Sequence, residues 1–108
     1  MDKPAGWLLI PTHWENTGRN LQLALDSSIR AGEFWAKSRN LRFLKFVHRL
    51  DAETSGVLLF AKSAGGVPVY SKLFESRQME KQYLAVVEGS PKEGAWAVDA
   101  PIGETDKP

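Results

Sequence analysis

With 108 residues, 43% of them hydrophobic and 25% charged, and a formal net charge of +1, the chain has the composition of one small globular domain and no room for a second. The absence of cysteine excludes a disulfide framework and thiol chemistry, and two histidines, His13 and His48, form no zinc-ligand pattern. No apolar run approaches the ~20 residues that span a bilayer and no signal peptide is evident, so we expect a soluble, cytoplasmic protein without a bound metal.

The first part of the chain predicts a short strand followed by a helix. A turn at Pro4–Gly6 leads into a strand at Trp7–Ile10. Asn16 or Thr17 is a typical helix N-cap, and Gly32 is a typical residue to end the helix that follows. The apolar residues on one face of this helix are Leu21, Leu25 and Ile29. Their spacing of four residues predicts that this face is buried.

The second part of the chain predicts three strands and one more helix. Strands at Phe43–Val47 and Val57–Lys62 flank a polar loop, and a helix covers Val67–Ser76. We expect this helix to bury the side chains of Val69, Tyr70 and Leu73. The last strand covers Tyr83–Val87. Because both of its faces carry apolar residues, we predict a central strand that is covered on both sides.

Basic residues are concentrated between positions 30 and 49. They are Arg30, Lys37, Arg39, Arg42, Lys45 and Arg49, against the single acid Glu33. Such a stretch favours binding to a phosphate backbone, because each cation that neutralises a phosphate releases a counterion. Trp35, Phe43 and Phe46 lie among these charges and could stack on bases or belong to the core. A solvated surface is the alternative for the charges.

The run from His48 to Phe60 reads HRLDAETSGVLLF, a polar turn that carries the Asp51 carboxylate, followed directly by an apolar strand. Asp51 is therefore expected at the edge between a strand and a loop. Thr54, Ser55 and Gly56 are small residues typical of tight turns and of close approach to a ligand. The alternative is an Asx-turn, in which the Asp51 side chain accepts loop N–H bonds and Arg49 pairs with a nearby acid.

This run resembles the His-Arg-Leu-Asp-x-x-Thr-Ser-Gly signature of the RluA-type family of RNA pseudouridine synthases. Two further segments are similar to motifs of that family in the same order: KPAGW at residues 3–7 and KQYLAVVEG at residues 81–89. His48, where a related RsuA-type group has glycine, favours the RluA type. The resemblance implies an α+β (mixed α/β) fold, in which residues 1–108 form part of a catalytic domain with a mixed, mostly antiparallel sheet and flanking helices.

The resemblance also implies the roles of individual residues. Asp51 would be the catalytic aspartate in the isomerisation of uridine to pseudouridine, either by covalent attack or by assisting loss of the C2′ proton. Tyr83 would pack on the extruded base and remove its C5 proton. Arg49 would stabilise the stack of RNA bases from which the uridine is extruded. Either Arg49 or Lys81 would be a basic neighbour of Asp51.

The remaining implied contacts are with RNA. Arg42 and Lys45 are expected to bind phosphates, while His48, Thr54 and Ser55 are expected to hold the loop. The partner would be a ribosomal or transfer RNA, and the isomerisation requires no cofactor. His13, between Thr12 and Trp14, is expected to be a turn residue.

Two expectations concern what the chain can do by itself. The family's later Gly-Arg-x-His-Gln-Ile-Arg segment, which supplies a basic partner for the aspartate, is missing, and both ends look cut. We therefore expect an incomplete sheet that could self-associate through an exposed edge. A non-catalytic RNA-binding or scaffold fragment of the same fold is the alternative function. A carboxylate glycosidase is disfavoured, because Glu53 is too close in sequence to Asp51 to oppose it.

Overall fold

The computed structural model describes residues 1–9 and 18–103 of the protein. The described chain combines helices with short antiparallel strands, which confirms the α+β class. The helices are α1 (Leu21–Ala31), α2 (Phe34–Lys37) and α3 (Gly66–Glu75). The strands are β1 (Asp2–Lys3), β2 (Lys45–Phe46), β3 (Gly56–Val57) and β4 (Phe60–Ala61). No helix among these residues has the length and apolar character needed to cross a membrane.

Helix α1 begins and ends at residues with recognisable capping geometry. The side chain of Asn20 accepts a hydrogen bond from the backbone N–H of Leu23 at 3.0 Å. Gly32 ends the helix in the left-handed conformation with φ of 67°, as the sequence predicts. The predicted caps Asn16 and Thr17 lie outside the described residues. Asn20 serves as the cap because a parallel bridge to Leu8 holds its backbone extended.

In its described part, the predicted strand Trp7–Ile10 forms only the parallel bridge between Leu8 and Asn20. The backbone N–H of Leu8 donates to the carbonyl of Arg19 at 2.9 Å, and Leu21 donates to the carbonyl of Leu8 at 2.7 Å. These bonds attach the start of α1 to the N-terminal segment. They also place Leu9 beside Leu21 in the core.

The apolar run after the polar loop forms two short strands instead of the one predicted at Val57–Lys62. β3 pairs antiparallel with β1, in the register Lys3↔Gly56. β4 pairs antiparallel with β2, in the register Phe46↔Phe60. The run thus changes partners at residues 58 and 59, which breaks the regular ladder. The predicted strand Phe43–Val47 is likewise shortened to β2.

The core lies beneath the polar loop. Its fully or nearly fully buried members are Leu9, Leu21, Leu25 and Leu58. Partly buried Trp35 and Phe46 pack against this cluster, so these two aromatic residues belong to the core and not to a stacking surface. Leu50, immediately before Asp51, also packs on the core. The loop therefore begins at a partly buried apolar contact.

Helix α3 occupies nearly the predicted range, but its predicted burial is wrong in part. Leu73 is half-buried, whereas Val69 and Tyr70 are both more than half exposed. The helix contacts β4 with one narrow face. Phe74 is half-buried on the same helix, so the exposed apolar surface of α3 is at Val69 and Tyr70.

The predicted central strand Tyr83–Val87 is also wrong. Residues 81–103 contain no strand and are exposed throughout, and Leu84 reaches a relative exposure of 105%. An extended segment becomes a strand only when a neighbour accepts and donates its backbone hydrogen bonds. No such neighbour lies among the described residues, so the apolar pattern of this segment is not matched by burial.

Candidate functional site

Asp51 occupies an exposed corner, as its motif predicts. Its backbone carbonyl accepts a hydrogen bond from the N–H of Thr54 at 3.1 Å, which closes the turn. No hydrogen bond to the Asp51 carboxylate is found within the described part of the chain. The alternative Asx-turn is therefore wrong: the main chain closes this turn, and the carboxylate is left exposed.

The N-terminal turn holds this corner in place. The carbonyl of Ala52 accepts two hydrogen bonds, one from the N–H of Gly6 at 2.6 Å and one from Nζ of Lys3 at 3.0 Å. Gly6 has φ of +86°, a conformation that glycine adopts without strain. These bonds join the KPAGW segment to the motif loop at Ala52, the residue that follows Asp51, although the two segments are about 45 residues apart in sequence.

Lys3 is the residue of this site that the sequence analysis missed. Its side chain is 0% exposed, although lysine is almost never fully buried. A lysine between Asp2 and Pro4 carries no periodic apolar signal. Only its place in the KPAGW segment could have indicated that it has a structural partner.

A cleft of about 890 Å³ separates the motif loop from the chain after α3. The predicted site residues that line it are His48, Thr54, Ser55, Lys81 and Tyr83. The structure thus brings together two motifs that are more than 25 residues apart. Asp51 lies at the exposed corner of the same loop and does not line the cleft itself. No group of three His, Cys, Asp or Glu side chains able to hold a metal ion occurs in residues 1–9 or 18–103.

His48 forms the hydrogen-bonded wall of this cleft. Its Nε2 accepts a hydrogen bond from the backbone N–H of Leu59 at 3.0 Å. Its ring stacks on Phe74 of α3, with centroids 4.4 Å apart and an interplanar angle of 18°. An accepting Nε2 requires the neutral imidazole with its proton on Nδ1. That Nδ1 is buried and has no hydrogen-bond partner among the described residues.

The environment of His48 favours this neutral form. Burial lowers the pKa of His48 below its ordinary value of 6.5, and the positive charge of Lys81 lowers it further. The backbone of Arg49 acts in the opposite direction without reversing the shift. His48 is therefore a hydrogen-bond acceptor within the structure at neutral pH.

Lys81 and Tyr83 form the opposite, more open wall. Nζ of Lys81 lies 5.7 Å from the ring centroid of Tyr83 and 6.0 Å from that of Phe74. Both distances are within the range of a cation–π contact. Tyr83 remains 58% exposed, so most of its ring is free to meet a ligand.

The other predicted RNA-binding residues lie elsewhere. Arg42 and Lys45, together with Arg30 and Phe43, line a separate groove of about 570 Å³ between α1 and the chain before β2. Arg49 is exposed and lines neither this groove nor the cleft. All six basic residues between positions 30 and 49 are exposed. Their side chains are thus accessible to a large anionic partner.

Comparisons with known proteins agree on one family. The model of the RNA pseudouridylate synthase family matches residues 1–107. tRNA pseudouridine synthase C of Yersinia pestis is 36% identical over 107 residues, which are 99% of this chain and 38% of that protein. Ribosomal large subunit pseudouridine synthase C of Escherichia coli K12 is 43% identical over 61 residues, 56% of this chain and 19% of that protein. The chain thus spans well under half the length of these relatives. No solved structure matches it.

Proposed function

This chain belongs to the RNA pseudouridylate synthase family, and we propose on that basis that it isomerises uridine to pseudouridine in structured ribosomal or transfer RNA. The observation that carries the proposal is the cleft beside the Asp51 corner, where His48, Thr54 and Ser55 of the motif face Lys81 and Tyr83. Two relatives are named for a ribosomal and a transfer RNA, which supports these two substrate classes. The proposed location is the cytoplasm, where such RNA substrates would be met.

The proposed chemistry centres on Asp51. The reaction breaks the N1–C1′ bond of a uridine, turns the released uracil in the site and rejoins it to the sugar through C5. An exposed carboxylate with no hydrogen bond from the described residues is free to approach the sugar, either for covalent attack or to assist loss of the C2′ proton. Arg49 and Lys81 are the proposed cationic neighbours that balance its charge.

Tyr83 is the proposed base for the C5 proton. Its ring lines the cleft and is more than half exposed, so a uracil extruded from its stack could lie against it. Once C5 is bonded to C1′, its proton must leave, and the phenol oxygen is the group on this wall that we propose to take it. No cofactor is required in this scheme.

The remaining residues are proposed to hold the RNA. Arg49 would support the stack after the uridine has left it, while Arg42 and Lys45 would neutralise phosphates in the groove beside α1. His48, Thr54 and Ser55 would keep the loop in shape. The backbone of residues 81–103 has no hydrogen-bond partner among the described residues, which supports a further proposal, that the chain self-associates through an exposed edge.

The first test is tritium release from RNA that carries 5-³H-uridine, because loss of the C5 proton is obligatory for pseudouridine formation. We expect Asp51→Ala to reduce release to the level of RNA alone, since the carboxylate takes part in the bond-breaking step. Glu53→Ala is the matched control, because it removes an exposed carboxylate from the same turn. Retained release in Asp51→Ala would exclude the proposed role of Asp51.

A second candidate function is RNA binding without turnover, which the separate groove lined by Arg30, Arg42 and Lys45 favours. Replacing both Arg42 and Lys45 by Ala should weaken binding and reduce the slope of log K against log salt by about one unit per lost phosphate contact. Asp51→Ala should leave binding unchanged. Lys92→Ala, in the exposed chain, is the control for a general loss of charge. Binding without tritium release from the unaltered chain would favour this second function.

A further inference from the structure

The groove between α1 and the chain before β2, the α1 groove, contains a fixed carboxylate. Helix α1 lines it at positions 22, 26, 29 and 30, which lie on one side of a helix. Nε2 of Gln22 donates to Oδ1 of Asp26 at 3.0 Å. The same nitrogen donates across the groove to the carbonyl of Leu44 at 2.8 Å. Gln22 therefore joins the two sides of the groove and holds the Asp26 carboxylate in it.

Asp26 keeps most of its capacity to accept hydrogen bonds. A carboxylate has about four acceptor positions, and Gln22 occupies one of them. No other donor to Asp26 is found among the described residues. The side chain is half-buried and lines the groove. It therefore offers free acceptor positions to a ligand that lies there.

Three cationic side chains line the same groove, those of Arg30, Arg42 and Lys45. All three are exposed, and none donates a side-chain hydrogen bond to another described residue. Asp26 is the one acid among the residues that line the groove, so positive charge is in excess. Such an excess favours a phosphate group beside the three cations.

Phe43 adds a flat apolar surface to the groove. The other aromatic residues considered for stacking, Trp35 and Phe46, pack against the core, and Phe43 is not part of that cluster. Phe43 is half-buried and lines the α1 groove. Aromatic rings in cation-rich grooves bind nucleic acid bases by stacking. The volume of about 570 Å³ is within the range of small-molecule sites, so the groove has the size and the chemistry for one nucleotide.

The carboxylate distinguishes among the four bases by the donors on their Watson–Crick edges. Guanine has two adjacent donors there, N1–H and the N2 amino group, which match the two oxygens of a carboxylate. Adenine and cytosine each have an acceptor beside the amino group, and uracil has a carbonyl on each side of N3–H. These acceptors would face the negative charge of Asp26. Because pairing occupies the same edge in a duplex, the matching base is an unpaired guanine.

We propose that the α1 groove is a second RNA site, which binds one unpaired guanosine of the substrate through the carboxylate of Asp26. The base lies on Phe43, and its N1–H and N2 amino group donate to Asp26. Its phosphate lies against Arg42 and Lys45. This inference rests on the proposed function, which already assigns phosphate binding to these two cations. It adds a base-specific contact outside the cleft, so the preferred RNA presents an unpaired guanosine as well as the target uridine.

The first test compares mononucleotides in a titration followed by the amide NMR shifts of α1. Inosine 5′-monophosphate differs from guanosine 5′-monophosphate only in lacking the N2 amino group. We expect guanosine monophosphate to bind about tenfold more tightly, because it makes one more hydrogen bond to a charged acceptor. Adenosine monophosphate and ribose 5-phosphate should bind no more tightly than inosine monophosphate. Equal affinity for all four compounds would mean a site for phosphate only and would overturn the proposal.

A substitution then assigns the preference to Asp26. Asp26→Asn keeps the shape of the side chain and replaces one acceptor oxygen by a donor, so the preference for guanosine over inosine monophosphate should fall below about twofold. Asp99→Asn, at an exposed carboxylate outside the groove, is the matched control and should keep the full preference. Arg42→Ala/Lys45→Ala should weaken the binding of both nucleotides alike. If Asp26→Asn kept both the preference and the circular dichroism spectrum of the unaltered chain, the proposal would be overturned.

Short RNAs distinguish a site for RNA from a site for a free nucleotide, and their binding does not require turnover. A uridine oligomer with one central guanosine should bind about tenfold more tightly than the same oligomer with inosine. The difference should disappear when a complementary strand pairs the central base. Discrimination between the mononucleotides without discrimination between the oligomers would overturn the assignment to RNA. If the unaltered chain releases no tritium but prefers guanosine in both tests, the proposed function fails and the guanosine site remains.

Discussion

Two regions of this molecule both contain large apolar residues, but they place them in different environments. Residues 1–9 and 18–78, the packed part, contain every buried side chain of the described chain. Residues 81–103, the exposed segment, contain none, although Leu84, Val86 and Ile102 are as apolar as core residues. The Cα radius of gyration is 17.5 Å, where about 13 Å is typical for a compact domain of this length. Apolar composition alone therefore does not bury a segment. A buried segment also needs partners for the hydrogen bonds of its backbone.

The candidate site contains residues from both regions. Asp51 belongs to the packed part, where its loop is attached to residues 1–6 and rests on Leu50. Tyr83 belongs to the exposed segment, whose backbone makes no hydrogen bond within the described residues. One wall of the cleft is thus held by a hydrogen-bonded framework, while the other depends on side-chain contacts such as that between Lys81 and Phe74.

The largest expected contrast is in stability. Leu58→Ala should lower the free energy of unfolding by about 2–5 kcal/mol, because Leu58 is 0% exposed and its truncation leaves a cavity. Leu84→Ala, the same substitution in the exposed segment, should change it by less than about 0.5 kcal/mol. Urea unfolding followed by circular dichroism measures both. If Leu84→Ala lowered the free energy of unfolding about as much as Leu58→Ala, the exposed segment would be packed in solution, which would contradict the difference between the two regions.

The sequence predicts well those features that are determined within a few residues. The end of α1 at Gly32 and the range of α3 depend on local capping and periodicity, and both are confirmed to within one or two residues. The Asp51 corner is likewise found where a polar turn meets an apolar run. Such signals do not require knowledge of any distant contact.

Features that depend on distant partners are predicted poorly. The run after Gly56 changes partner from β1 to β2, and no local pattern indicates where the change occurs. The apolar run Tyr83–Val87 indicates a strand, but a strand requires a neighbour that the pattern cannot supply. The burial of Lys3 depends on the carbonyl of Ala52, a residue 49 positions away. For the site itself, the sequence identifies candidate residues, and only the structure groups them around a cleft.

A smaller contrast is expected between glycines of the two regions. Gly32 has φ of +67°, and a Cβ there would lie 2.7 Å from Cε of Lys37, so Gly32→Ala should cost about 1–2 kcal/mol through backbone strain alone. Gly94→Ala, in the exposed segment, meets no described atom within 4 Å and should be nearly neutral. The double variant Gly32→Ala/Lys37→Ala separates strain from the close contact. If it recovered full stability, the close contact and not the conformation would be the cause.

The smallest expected effect is a pH dependence centred on His48. The folded chain lowers the pKa of His48 below 6.5 through burial and the charge of Lys81, while the unfolded chain keeps the ordinary pKa. As the pH falls below about 6.5, the unfolded chain therefore binds the proton first, and the free energy of unfolding decreases until the folded protein is protonated too. The stabilisation is complete above pH 6.5. Protonation also adds a hydrogen to Nε2, which can then no longer accept from Leu59.

A difference measurement isolates this effect from other titrating groups. The free energy of unfolding of the unaltered chain minus that of His48→Gln should fall between pH 7.5 and pH 5, because glutamine does not titrate in this range. Lys81→Met should move the midpoint of the His48 NMR titration upwards, since it removes the repelling charge, and should narrow the pH range of the stability change. A midpoint at or above 6.5 in the unaltered chain would contradict the packing of His48 between Leu59 and Phe74. The cleft would then lack the hydrogen-bonded wall that distinguishes the packed part from the exposed segment.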